Sequence, residues 1–175
     1  MKIFGRWLCL LVLIAVSCSH WTKGSSVDSQ VLAFYNDQMD VTTLIQEEDS
    51  PQRQASMRLL SDLLKNGRGD VSGDYENLLK VDGHNPYAYY YLAKSLAAEQ
   101  RLDKAQVMAR RAEQLFGKDP VWKGKALVLQ ARVQVSLEQT EAARRLYEKA
   151  RILDPKNPLV DEGLRNLPMK RSSTH

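Results

Sequence analysis

The stretch EAARRLYEKARILDP, Glu141 to Pro155, recurs twice more in outline, and that recurrence limits the fold more than any other feature of the chain. Ala143, Tyr147, Ala150 and Leu153 fall at intervals of four, three and three, so they share one helical face. Leu146 and Ile152 widen that face, and Glu141 and Arg145 stand in the favourable order for a helix ion pair. Pro155 stops the helix near Asp154. Val71, Tyr75, Leu78 and Val81 followed by Gly83 repeat the spacing, as do Ala105, Ala109, Ala112 and Leu115 followed by Gly117. The offsets are 34 and then 38 residues. Twelve residues upstream of each copy stand Leu59, Ala93 and Ala131, each in a helix-competent segment, so the unit is two helices joined by a short turn. Alanines on the buried face let the paired helix approach closely.

Start signals divide the rest. Ser50-Pro51, Asn85-Pro86 and Asn157-Pro158 each place an N-cap before a proline at the first helical position. Ala55, Leu59, Leu60, Leu63 and Leu64 line the first of these helices. Tyr89, Leu92, Ala93 and Leu96 form the inner face of the second. Leu127 to Leu137 alternates as a strand would, yet the twelve-residue offset to Ala143 and a helical stripe through Leu127, Val128, Ala131 and Val135 predict a helix. The four extra residues of the longer interval fit the loop Gly117 to Lys125. Val31, Phe34, Tyr35, Met39, Thr42 and Ile45 recur at helical spacing, predicting one helix within 29–50, with Asp28 or Ser29 as its cap. The expected class is all-α.

LYEKARILDPKNP, YENLLKVDGHNP and YYYLAKSLAAEQRLDKAQVMARRAEQL resemble tetratricopeptide repeats, whose period is about 34 residues. The resemblance spans roughly Pro51 to Leu167. It implies a short right-handed α-solenoid of about three helix hairpins, at 51–84, 85–118 and 119–156, with capping helices at 29–50 and 157–168. The first unit departs from the pattern at GRGDVSGD. In the third, Gln130 and Gln134 stand where the family usually has a large apolar or aromatic residue.

The N-terminus reads as a targeting segment. Lys2 and Arg6 precede the apolar run Trp7 to Val16, which is shorter than the roughly 20 residues of a membrane span. Ile14-Ala15-Val16-Ser17-Cys18 resembles a bacterial lipobox, implying removal of 1–17 and lipidation of Cys18, with 18–28 as a tether. Ser19 after that cysteine resembles the outer-membrane sorting signal, so the expected place is the outer membrane, facing the periplasm. Cys9 and Cys18 are the only cysteines, which leaves the mature domain no disulfide. Losing Lys2 and Arg6 reduces 25 basic residues to 23 against 21 acidic ones, so the net charge falls from +4 to +2 and gives no case for nucleic-acid binding. Residues 169–175 read as a basic disordered tail.

Catalytic chemistry is not expected. His20, His84 and His175 have no metal-ligand spacing, no cofactor motif occurs, and a serine nucleophile would lack a placed histidine. The RGD tripeptide within Gly67 to Asp70 is accounted for by a tight inter-helix turn. A solenoid of this type lines its concave surface with the first helix of each pair. That places Tyr87, Tyr90, Lys94 and Ala98 beside Lys125, Val128, Arg132 and Ser136, a set of aromatic rings and long cations suited to an extended peptide bearing carboxylates. The expected role is a lipid-anchored docking module for protein partners, similar to pilotins and assembly-factor lipoproteins of the cell envelope. Regulation of a cell-wall enzyme, or glycan binding through Trp122 with Tyr87 and Tyr90, is the alternative. An imperfectly capped solenoid can also pair end to end with a second copy.

Overall fold

The structure is a computed structural model that describes residues 25–47, 49–66 and 71–168. Cys18 and its signal, the Gly67 to Asp70 turn and the tail at 169–175 lie outside the described residues. The chain divides into two units, Met1–Gln38 and Met39–His175.

In the first unit, helix α1 runs Ser25–Tyr35, so it begins inside the expected tether. The Phe34 and Tyr35 rings meet edge to face at 5.1 Å. The helix closes where Asp37 adopts φ 61° and Gln38 N–H donates to the Ala33 carbonyl at 2.8 Å. The single helix expected across 29–50 is therefore two pieces. Aspartate tolerates the left-handed conformation, and a second one starts afresh: Asp40 caps a 3-10 turn, Val41–Leu44, by accepting from Thr42 N–H at 3.0 Å.

The second unit begins with that turn, which packs on α2 (Pro51–Asn66). Ser61 on α2 donates to Asp40 at 3.1 Å, and Lys65 pairs with it at the same distance. Then follow α3 (Val71–Val81), α4 (Pro86–Ala98), α5 (Leu102–Leu115), α6 (Pro120–Ser136), α7 (Thr140–Leu153) and α8 (Pro158–Asn166). Each helix packs on the next, and α6 also touches both α4 and α8. Among the described residues there is no strand, and Leu127 to Ser136 is helical as its offset demanded. None of the described helices is long and apolar enough to cross a membrane.

The turns between hairpins repeat in length and in their closing bond. Residues 82–85, 116–119 and 154–157 each close with an i to i−3 bond: Asn85 to Asp82 at 3.1 Å, Asp119 to Phe116 at 3.0 Å, Asn157 to Asp154 at 3.2 Å. The last residue of each then caps the following helix with its side chain, ahead of a proline. Within hairpins, Gln100 and Glu138, 38 residues apart, share φ 59°, and Arg101 and Gln139 each reach back five residues at 2.8 Å.

Because these turns are all four residues long, the extra four do not lie in a loop. They lengthen α6 to 17 residues against 13 in α4, adding one turn at its N-terminus that carries Trp122. Asp119-Pro120 is a start signal equivalent to Asn85-Pro86, and it sets the helix going there.

Alanines make the seams: Ala93, Ala105, Ala109, Ala112, Ala131, Ala143 and Ala150 are fully buried. Four expectations need correcting, Val81 and Val135 among them at 42 % and 40 % exposed, since each stands at the end of its helix. Leu59 is 47 % exposed, and α2 buries Ser56, Met57, Leu60 and Ser61 instead. Serines are buried there because they have partners, Ser56 accepting from Asn85 Nδ2 at 2.8 Å and Ser61 bonded to Asp40. Ile152 is 80 % exposed rather than part of the α7 face, since its position lies off the Ala143, Tyr147 and Ala150 stripe. The two glutamines of α6 are buried. Gln130 is satisfied by Glu113 on α5 at 2.8 Å, and Glu113 also accepts from Lys149 on α7 at 2.7 Å. Burial pushes the Glu113 carboxyl up, but the bonds from Lys149 and Gln130 outweigh it and hold the group below its ordinary value.

Candidate functional site

The longer α6 assembles an aromatic cluster with α4. Trp122, on the added turn, meets Tyr87 edge to face at 4.9 Å and Tyr90 at 5.6 Å. Phe116, just past the end of α5, stacks on Trp122 at 5.3 Å and meets Tyr87 at 5.2 Å. From Tyr90 the rings continue through Tyr91 at 5.2 Å to Tyr75 on α3 at 6.3 Å. Offset and edge-on geometries of this kind contribute about 0.5–1.5 kcal/mol per pair beyond burial, so the cluster holds the first helices in register.

Two lysines face these rings. Lys125 is 2 % exposed, with its Nζ 4.5 Å from the Trp122 centroid and 5.7 Å from that of Tyr90. Lys94 is half-buried, its Nζ 5.7 Å from the Tyr91 centroid. Ring faces carry negative charge density, which draws the ammonium groups inward. Burial pushes the Tyr87 phenol up to about 12, with Asp119 adding to the effect and Arg53 opposing it. Its hydroxyl therefore stays protonated and able to donate at any physiological pH.

Of the residues expected to line the docking face, Tyr87, Tyr90 and Lys125 are brought together around Trp122. Tyr90, Lys125 and Val128 are buried, Tyr87 and Lys94 are half-exposed, and Arg132 is exposed. Arg132 stands apart from the cluster, in a cleft with Tyr147, Glu162 and Asn166. Phe116 carries no signal in the sequence, and Tyr91 reads there only as core or rim, which the structure bears out. Phe116 sits outside a helix, and Tyr91 was one of three consecutive tyrosines whose faces only packing could separate. Tyr147 was read as core, which it is, yet it also reaches the cleft. Among the described residues no group of three or more histidine, cysteine or acidic side chains is placed to hold a metal ion.

No protein-family model matches the sequence, and no curated protein matches it. Solved structures do match the backbone. One is the first tetratricopeptide-repeat domain of Spaghetti (RPAP3) bound to the HSP90 peptide SRMEEVD. It has 21% identity and a TM-score of 0.57, covering 67% of this chain and 90% of that one. Another is the second such domain of human RPAP3 in complex with the HSP70 peptide SGPTIEEVD. Here identity is 19% and the TM-score 0.55, covering 65% of this chain and 92% of that one. The repeated hairpins and these two likenesses agree: the chain has the tetratricopeptide-repeat fold, a short all-α solenoid.

Proposed function

We propose that this protein is a docking module that holds an extended segment of a partner protein along its first helices α4, α6 and α8. The observation that carries the reading is the ring cluster of Tyr87, Tyr90 and Trp122 with Lys125 drawn onto it. Tyr90, Lys125 and Val128 form a rigid floor, while Tyr87, Lys94 and Arg132 remain reachable. The reachable cations Lys94 and Arg132, with the half-exposed Tyr87, favour a partner with carboxylates. Both similar domains carry acidic peptides, which supports the same mode here.

The lipobox-like Ile14 to Cys18 motif supports anchoring by acyl chains at Cys18 and a place on the periplasmic side of the outer membrane. There the module would help assemble a complex of the envelope. Trp122, at 3 % exposure, offers no open ring for a sugar, which favours protein over glycan as the ligand. Two measurements test the proposal. Partner recovery from solubilised envelopes is expected to fall several-fold in a Lys94→Glu, Arg132→Glu protein of unchanged helical content; equal recovery contradicts it. Fatty-acid labelling is expected in wild type and lost in Cys18→Ala, and labelling that persists in the variant contradicts the anchor.

A further inference from the structure

The repeat offsets of 34 and 38 residues align exposed Glu76 of α3 and exposed Glu148 of α7 with Arg110 of α5. On α3 the glutamate has Lys80 one turn on, and on α7 Glu141 and Glu148 alternate with Arg145 and Arg151, so both faces are balanced in charge. On α5 the sign is reversed. Arg110 joins Lys104 and Arg111, with Lys118 in the turn that follows, and all four are exposed. Lys104, Val107, Arg110, Arg111 and Gln114 lie within about a third of the helix circumference. Asp103 is the acid on that arc. Glu113, the other acid of α5, is turned to Gln130 and Lys149, and Asp119 is bound to the Val121 and Trp122 N–H groups. Among the described residues no carboxylate lies within ion-pair distance of Lys104, Arg110, Arg111 or Lys118.

We propose that this face of α5 rests on an anionic membrane surface, its cations against acidic phospholipid headgroups. Each lysine or arginine near an anionic leaflet favours binding by roughly fivefold, so four cations offset by one acid make a weak but directed contact. Val107, 56 % exposed, is the one large apolar side chain on the arc, which keeps the helix at headgroup depth rather than inserted. A single-stranded nucleic acid would ask for an open ring beside the cations, and Tyr89 is half-buried with the Arg111 guanidinium 6.0 Å from its centroid. Second helices line the outer side of such a solenoid, so contact through α5 turns the first helices α4 and α6 away from the membrane and leaves them open to a partner. The contact depends neither on what those helices hold nor on acyl chains at Cys18.

The test reads which side of the protein meets lipid. A fluorophore is attached at position 107 on α5 (Val107→Cys) or at exposed position 136 at the end of α6 (Ser136→Cys), in full-length protein carrying Cys9→Ser and Cys18→Ser. Vesicles of phosphatidylcholine, with or without about 30 mol% phosphatidylglycerol, carry a spin-labelled headgroup as quencher. On the anionic vesicles, quenching at 107 is expected to exceed that at 136 by at least about twofold, and about 0.5 M salt is expected to abolish the difference. Lys104→Gln, Arg110→Gln and Arg111→Gln together are expected to abolish it too, whereas Arg58→Gln, Lys156→Gln and Arg165→Gln, an equal loss of charge on other elements, leave it in place. Equal quenching at the two positions, or quenching at 107 that survives the α5 triple variant, overturns the proposal. So does a short single-stranded oligonucleotide that binds α5 more tightly than the anionic vesicles do. If position 107 meets no lipid while partner recovery still depends on Lys94 and Arg132, the docking reading stands and the membrane contact alone is lost.

Discussion

Gly163 of α8 and Tyr147 of α7 pack so closely that a Cβ on the glycine would come within 2.3 Å of the ring carbon Cζ. A helix interior ordinarily gains about 1 kcal/mol from glycine to alanine. Here the added methyl must push α8 off the ring, and overpacking of this kind costs about 1–3 kcal/mol. Gly163→Ala is therefore expected to lower stability in a denaturant titration, against its helix propensity. A rise in stability would mean that α8 is not seated on Tyr147.

Gln100 and Glu138 hold φ 59° in equivalent turns, a conformation that glycine adopts without strain. Gln100→Gly and Glu138→Gly are each expected to stabilise by about 1 kcal/mol. Gly117, at φ 58°, is the converse case, and Gly117→Ala should cost a similar amount. Thermal melts of the three single variants check both signs.

Asn85 and Asn157 cap equivalent helices but differ in the amide nitrogen. Asn85 Nδ2 donates to buried Ser56 at 2.8 Å, whereas Asn157 Nδ2 is buried with no acceptor among the described residues. Replacing a cap by alanine costs about 1 kcal/mol, and losing a buried hydrogen bond a further 1 kcal/mol or so. Asn85→Ala is therefore expected to destabilise by about 2 kcal/mol and Asn157→Ala by about 1 or less. Urea midpoints compare them directly.

Glu113 sets an acid limit. Its folded pKa lies below the ordinary value of 4.5, so the unfolded chain binds this proton more readily. The contribution is present above 4.5 and is lost as pH falls through the depressed folded value. Stability measured from pH 6 down to 3 is expected to fall less steeply in Glu113→Gln than in wild type, because glutamine has no proton to gain.

Much of the fold was written in spacing. Small residues at Ala105, Ala109, Ala112, Ala143 and Ala150 mark the seams, and Asn85-Pro86 and Asn157-Pro158 mark helix starts, all of which hold. The same signal stood at Asp119-Pro120, and reading it would have moved the four extra residues from a loop into α6. Burial on α2 was harder to read, because Ser56 and Ser61 enter the core through hydrogen bonds to Asn85 and Asp40 that no periodicity encodes. For the docking face, the types were legible but not their depth. Lys125 looks like a surface residue until Trp122 and Tyr90 are seen beneath its ammonium. Glu162 and Asn166 join Arg132 only because α8 seats against α6 and α7.

The central claim is that partners dock on the first helices, and site-specific photocrosslinking in living cells tests it most directly. A photoreactive residue is placed at Tyr87 on α4, or at Val107, a 56 % exposed position on the second helix α5. A discrete protein adduct is expected from position 87, weakened by Arg132→Glu, with none of comparable yield from position 107. An adduct formed at 107 and not at 87 would place the interaction on the opposite helices and contradict the account.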